Sequence, residues 1–320
     1  MKCPICSQGS SFIPYQVKEM MFGFRESFTY LECVDCESLF IEKIPANMER
    51  YYPHEYYSFG FEPISIVKDF LKKQRHSYQL LQRGLLGRFL NYSFPNPFFD
   101  LLQPLFTSLK DHILDVGCGS GSLIKMLREL GFQHSYGIEP YLPSDSSEDY
   151  LKKQTLFEVE GTWDVIMFHH SFEHLAKPFQ VLSKVRDLLT QKGFCLIHIP
   201  TVSSYAWRYY RTYWVQLDAP RHFFLYSLKA IHLLAQQTGF FIKDIRFNSS
   251  AFQFWGSEQY LRDIPLEAEN SYFKNPHHSL FSQKDIQIYE QRAKKLNAQN
   301  EGDTVLFYLQ PTEWRKINNT

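Results

Sequence analysis

The sequence carries no net charge: 34 lysines and arginines balance 34 aspartates and glutamates over 320 residues. Without an overall positive field there is no global electrostatic footprint for nucleic acid or an anionic membrane, although local patches remain open. Long apolar runs are missing too, and nothing approaches the roughly eighteen residues that a membrane-spanning helix needs. No apolar leader precedes Cys3, so the cytoplasm is the expected compartment. Cysteine is scarce, at six residues, which argues against a disulfide scaffold in a chain of this length. Internal repeats and low-complexity tracts are absent. What the chain does have is length for a sizeable core and more than one unit, and an aromatic content of 17%. Many of those rings lie outside the apolar strand segments, as a cap or stacking surface requires.

Four of the six cysteines have metal spacing. Cys3-Pro4-Ile5-Cys6 and Cys33-Val34-Asp35-Cys36 are two C-x-x-C knuckles, and residues 28 to 32 between them alternate as a strand. Each knuckle presents two thiolates to one tetrahedral ion, and four thiolates leave no position for water, so the pattern predicts structural zinc on Cys3, Cys6, Cys33 and Cys36. A redox pair would open a helix and would not come in duplicate.

Residues 112 to 121 read as a short buried strand, Ile113-Leu114-Asp115-Val116, running into Gly117-Cys118-Gly119-Ser120-Gly121, with helical apolar spacing from Ser122 onward. Alternate glycines let the backbone turn tightly and let a ligand approach it, and the helix start offers unpaired N–H groups. Glu139 ends a second strand where a doubly wound sheet needs a carboxylate for ribose hydroxyls. This is a nucleotide-binding βα turn.

The order Asp-x-Gly-x-Gly-x-Gly, with Glu139 and the strand Trp163 to Phe168, resembles the class I S-adenosylmethionine (SAM) methyltransferases. The resemblance implies a doubly wound, mostly parallel Rossmann-like α/β sheet, with SAM held by Asp115, Gly117, Gly119, Gly121 and Glu139. Glu173-His174-Leu175 before a proline is similar to the end of an acceptor-loop motif in many small-molecule methyltransferases, which implies His169 or His170 at the cofactor's reactive end. The element Pro220-Arg221-His222 resembles a feature of enzymes acting on sugars and related metabolites. His222 is a candidate base, and Arg221 either holds an anionic group or ties its own segment to Asp218.

The division expected is a zinc ribbon over 1–45, a linker and amphipathic lid over 46–110, and the SAM-binding domain over 111–320 with insertions at 201–226 and 248–303. In the lid, Val67, Phe70, Leu71, Tyr78, Leu81, Leu85 and Phe89 form one helical stripe beside lysines and arginines. It either covers the core or meets an anionic substrate, RNA or lipid headgroup. Tyr51 to Phe59 read as a bent connection that packs against the core or contacts a ligand. Prolines and a Ser/Asp run after Glu139 predict a missing crossover helix and a short third strand near 153–157. A helix over 179–190 capped by Gly193, a helix over 227–238 and strands at 194–199, 240–247 and 304–309 complete the reading. Residues 250 to 260 interleave aromatics with hydrogen-bonding side chains, as a carbohydrate surface or a packed cap would.

The expected activity is methyl transfer to a small-molecule or sugar-related acceptor, with His170, His222 and Arg221 as candidate catalytic residues. An RNA methyltransferase, a protein methyltransferase or a non-catalytic SAM-binding module are the alternatives; the charge balance argues against nucleic acid. Oligomeric state is not legible.

Overall fold

The alternating segment between the cysteine knuckles forms a hairpin: β1 (Phe12–Lys18) pairs antiparallel with β2 (Ser27–Cys33), and β3 (Leu39–Ile41) extends it. The structure, a computed structural model, describes residues 1–9, 11–52, 66–142 and 148–312. Most of the Tyr51 to Phe59 connection therefore lies outside the described residues.

The basic stripe departs from expectation. It is two helices, α1 (Ile66–Leu81) and α2 (Leu85–Ser93), broken where Gln82 and Gly84 take positive φ of 55° and 93°. Val67, Phe70, Leu85 and Phe89 are exposed, and among the described side chains of α1 those buried are His76, Gln79 and Leu80. The helical spacing holds within each helix, but the turn at Gln82 to Gly84 splits the stripe, and apolar periodicity does not distinguish a buried face from an exposed one. α3 (Pro97–Leu102) follows, started by Pro97 and capped by the Asn96 side chain, which accepts from Phe98 N.

The central domain runs β4 (Ile113–Val116), α4 (Ser122–Glu129), β5 (Ser135–Ile138), β6 (Leu151–Lys152), β7 (Trp163–His169), α5 (Pro178–Leu188), β8 (Leu189–Pro200) and α6 (Tyr205–Tyr210). After β9 (Phe224–Leu225) come α7 (Leu228–Gln237), β10 (Phe240–Phe247), α8 (Phe252–Leu261), α9 (Gln283–Ala298) and β11 (Thr304–Pro311). Among the described residues no α-helix joins β5 to β6, and the third strand is Leu151–Lys152, just ahead of the stretch predicted for it. Gly193 does not cap α5: it lies inside β8, where the pairing with β7 slips register between Trp163 and Val165. A Cβ there would meet Asp164 O at 2.9 Å, so glycine serves close backbone approach.

Seven strands form a mixed sheet in the order β10-β11-β8-β7-β4-β5-β6, parallel from β8 to β6, with β11 antiparallel to both of its neighbours. The chain starts at β4, winds outward through β5 and β6, then returns to β7. That reversal puts a switch point between β4 and β7, and a crevice opens beyond the carboxyl ends of those two strands. Helices cover both faces. α5 and α7 pack on one, and α3 and α4 on the other.

The cysteine sheet does not stand apart. Its fourth strand is β9, borrowed from the excursion after β8 through Leu39–Leu225 and Phe40–Phe224 pairing. Ser227 Oγ donates to Cys36 O and accepts from Ala230 N, so one hydroxyl caps α7 and ties it to the second knuckle. Phe40, Tyr226, Ile199 and the four cysteines belong to one continuous buried cluster, and each large apolar side chain fully buried there contributes about 1.5–3 kcal/mol. No helix among the described residues is long and apolar enough to cross a membrane.

Candidate active site

The glycine turn sits at the switch point, between β4 and α4. Gly117, Gly119 and Gly121 all take positive φ, at 76°, 54° and 75°. Side chains are also sterically excluded at two of them: a Cβ on Gly117 would lie 2.5 Å from Ser171 Cβ, and one on Gly121 2.6 Å from Leu151. Gly121 is the N-cap residue of α4 and supplies no side-chain cap, so the helix start is left to other acceptors. Glu139, at the end of β5, is 9% exposed and accepts from Tyr141 N at 3.1 Å. Burial raises its carboxyl, and the backbone N–H groups of Tyr141 and Gly119 pull it back. Asp115 is buried with Oδ1 unpartnered among the described residues, and burial, then the charge of Glu139, push it up to about 7. The five residues assigned to one ligand thus share one end of β4 and β5.

Beyond β7 the two candidate histidines diverge. His169 turns to β8, its Nδ1 2.8 Å from His198 Nδ1, and Phe98 of α3 packs over it with ring centroids 4.5 Å apart. Burial first, then His170, push His169 down to about 3; His198 is driven well below the ordinary imidazole value, mainly by burial. His170 has a positive φ of 51°, a backbone conformation that non-glycine residues adopt at a cost and that recurs at functional sites. Its Nδ1 lies 3.5 Å from Glu173 Oε1.

Glu173 is fully buried, and neither carboxylate oxygen has a hydrogen-bond partner among the described residues. Burial would raise its carboxyl, but the surrounding imidazoles, His170 first and then His222 and His174, favour the carboxylate and pull it below the ordinary range. His222 Nδ1 donates to Gln216 O at 2.8 Å, which turns Nε2 toward Glu173 Oε1 at 3.8 Å. His174 Nδ1 donates to Arg221 O at 2.7 Å and also meets the Tyr52 hydroxyl at 3.2 Å. Burial first, then His174, push His222 down to about 4, so it is neutral near pH 7.

His170, His174 and His222 line a cavity of about 290 Å³ whose other walls include Phe252, Trp255 and Tyr260 of α8. A second cavity, about 430 Å³, lies on the other side of His170 and is lined by His169, His198, Asn248, Gln253 and Asp303. His170, Gln216 and Phe252 face both. No lysine or arginine lines either one. The aromatic and polar residues of 250–260 divide accordingly: Phe252, Trp255 and Tyr260 reach the first cavity, while Ser257 and Gln259 are buried in packing.

Arg221 is placed by the second of its two expected roles. It is fully buried, clamps Asp218 through Nε and Nη2, and pairs with Glu19 Oε1 at 3.0 Å and Tyr51 O at 3.2 Å. It lines neither of these two cavities. The four knuckle cysteines are at most 5% exposed, form no disulfide, and pair as Cys3–Cys36 and Cys6–Cys33 with sulfurs 3.7 Å apart.

Several contributors were not singled out from sequence. His198 is a lone imidazole in an otherwise apolar strand, a signal that was available. Glu173 stood inside the Glu-His-Leu motif with no role attached. Gln216 acts through a backbone carbonyl, which no sequence pattern announces, and Tyr52 reaches His174 from 122 residues away.

Residues 88–243 match the family model described as a methyltransferase domain. That span takes in the glycine turn, Glu139, the histidines of β7 and β8 and the Pro-Arg-His element; the cysteine hairpin and the α8–α9 cap lie outside it. Among solved structures the chain is similar to the cyclopropane synthase MmaA2 from Mycobacterium tuberculosis, at 15% identity and TM-score 0.41 over 66% of this chain and 82% of that one. It is also similar to a SAM-dependent methyltransferase from Archaeoglobus fulgidus, at 17% identity and TM-score 0.43 over 72% of this chain and all of that one (100%). A mycolic acid cyclopropane synthase, CmaA1, complexed with SAH and CTAB gives 18% identity and TM-score 0.42 over 68% and 85%. No curated protein matches the chain. Over residues 88–243 the chain thus matches a methyltransferase domain, and the sheet that carries this span is Rossmann-like.

Proposed function

We propose that the chain methylates a small, carbohydrate-related acceptor bound in the two cavities that meet at His170. The observation that carries this reading is the lining: walls of aromatic and hydrogen-bonding side chains, with no lysine or arginine among them. An RNA backbone would need cations along its path. A purely SAM-binding module would have no use for a histidine-lined cavity beside the glycine turn.

When bound, SAM supplies an electrophilic methyl on a sulfonium. Asp115 fits its amino end, because a buried carboxylate oxygen without a partner is what such a group would satisfy. Glu139 would accept from ribose hydroxyls, and the positive-φ glycines Gly117, Gly119 and Gly121 would let the backbone close on the ligand. His169 and His170 close the carboxyl end of β7 over the same crevice. His170 takes the proton from the acceptor hydroxyl, and the Glu173 carboxylate 3.5 Å from its Nδ1 favours the imidazolium that results. His222, the other candidate base, lines the same chamber with Nδ1 already committed to Gln216 O.

The four thiols fit zinc. A tetrahedral ion with Zn–S bonds of about 2.3 Å has sulfur–sulfur edges of about 3.8 Å, and the two pairs stand at 3.7 Å. Zinc there would brace residues 1–45 against the excursion at 201–226 and would take no part in methyl transfer.

The test is release of S-adenosylhomocysteine against nucleotide sugars, polysaccharide fragments and RNA. Turnover with a saccharide and none with RNA is the expected result; turnover with RNA alone would overturn the reading.

A further inference from the structure

Two imidazoles on the wall of the first cavity, His174 and His222, and the buried carboxylate of Glu173 beside them are arranged for something other than one another. Ligand atoms of Glu173, His174 and His222 all lie within 4.8 Å of one another. Both imidazoles spend Nδ1 on a backbone carbonyl, His174 on Arg221 O and His222 on Gln216 O. A carbonyl accepts only, so each Nδ1 carries the hydrogen and each Nε2 keeps its lone pair. That is the orientation that outer-shell carbonyls impose on metal-bound histidine. Glu173 is the second and independent sign: a carboxylate with 0% exposure that makes no hydrogen bond on either oxygen among the described residues, with His170 Nδ1 standing off at 3.5 Å. Buried carboxylates are normally paired or bound to a metal.

From these observations we infer that Glu173, His174 and His222 form a mononuclear site for a first-row divalent cation, of the two-histidine, one-carboxylate type. Nitrogen and oxygen donors favour zinc, iron(II), cobalt(II) or nickel(II) over calcium or magnesium. Three protein donors leave coordination positions open, and these face the cavity. On the reading of that cavity as the acceptor chamber, the ion binds the acceptor oxygen and eases loss of its proton to His170. Asp218 is not a fourth ligand, since Arg221 clamps both its oxygens. The neighbouring trio His169, His170 and His198 lacks a carboxylate, and two of its nitrogens face each other at 2.8 Å.

The cysteine cluster makes the experiment internal to one molecule. The full chain, stripped with chelator and reloaded with cobalt(II), is analysed for metal content and visible spectrum. About two equivalents are expected, one with thiolate-to-cobalt charge-transfer bands and one with only weak d–d bands of nitrogen and oxygen ligation. Glu173→Gln and His222→Ala should each lose the second set and keep the first. Calorimetric SAM binding retained in both variants shows that they are folded. Thiolate bands alone in the wild type, or a second ion retained in both variants, overturns the site. Loss of the second ion from folded variants, together with silence toward every saccharide, keeps the metal site and removes the acceptor reading.

Discussion

Two clusters of donor side chains flank the excursion after β8, and they differ in closure. The cysteine cluster has four donors, paired at 3.7 Å, buried on all sides and sewn to α7 through Ser227. The glutamate–histidine cluster has three, and one side of it is the wall of a cavity of about 290 Å³. A closed set has no position for a substrate and holds pieces together; an open set meets whatever enters. Placement agrees with this division. The closed cluster sits where β9 joins β3, and the open one sits at the end of β7, beside the switch point.

The harshest way to break the comparison is to open the closed cluster. Cys33→Ser should remove the ion, loosen the four-stranded sheet and cost more stability than any other substitution below, because structural zinc in small modules is worth on the order of 10 kcal/mol. Thermal melting paired with metal analysis measures it, and an unchanged melt would mean that the cluster braces nothing. Next in size is the peg between the clusters. Arg221→Met leaves Glu19 and Asp218 buried without their cation, which should cost about 3–5 kcal/mol in urea unfolding. A loss below about 1 kcal/mol would mean that water enters and the pairing is dispensable.

How much of this was legible follows the same division. The cysteine spacing, the glycine turn and Glu139 are local patterns of fixed offset: the four cysteines cluster, the turn joins β4 to α4, and Glu139 follows β5. The fold class was readable for the same reason, since strands β4, β5 and β7 are short apolar runs with clear ends. What escaped is made by distant contacts. Nothing in Phe224-Leu225 says that it is the fourth strand of a sheet begun at Phe12, and the burial of Arg221 depends on Glu19, 202 residues earlier. The apolar spacing of 67–89 misled because periodicity reports an exposed stripe and a buried one alike.

A milder test separates cofactor from acceptor. Glu139→Ala should weaken SAM binding by about 1–3 kcal/mol, the worth of charged hydrogen bonds, as read by calorimetry. His170→Gln should leave that affinity in place and lower kcat. Equal SAM affinity in wild type and Glu139→Ala would end the ribose assignment; a His170→Gln loss confined to SAM binding would move His170 from the acceptor to the donor.

The smallest effect lies away from both clusters, and it calibrates the histidine chemistry. His76 of α1 is 2% exposed, stacks on Phe99 at 3.8 Å and accepts from Arg75 through Nε2 at 2.9 Å. Burial first, then the charges of Arg75 and Lys72, push it down to about 4. In the unfolded chain an imidazole takes its proton near pH 6.5. Between 6.5 and about 4 the unfolded state therefore binds more protons, and stability falls as pH falls through that window. From pH 7 to 5.5 this group alone should cost about 1 kcal/mol. Other buried groups titrate there as well, Asp115 with the opposite sign, but they are common to both proteins when wild type is compared with His76→Phe. The difference between their unfolding free energies in urea should shrink, or reverse, by that amount on acidification. A difference independent of pH would mean that His76 is protonated in place, and that burial alone does not keep an imidazole neutral in this molecule.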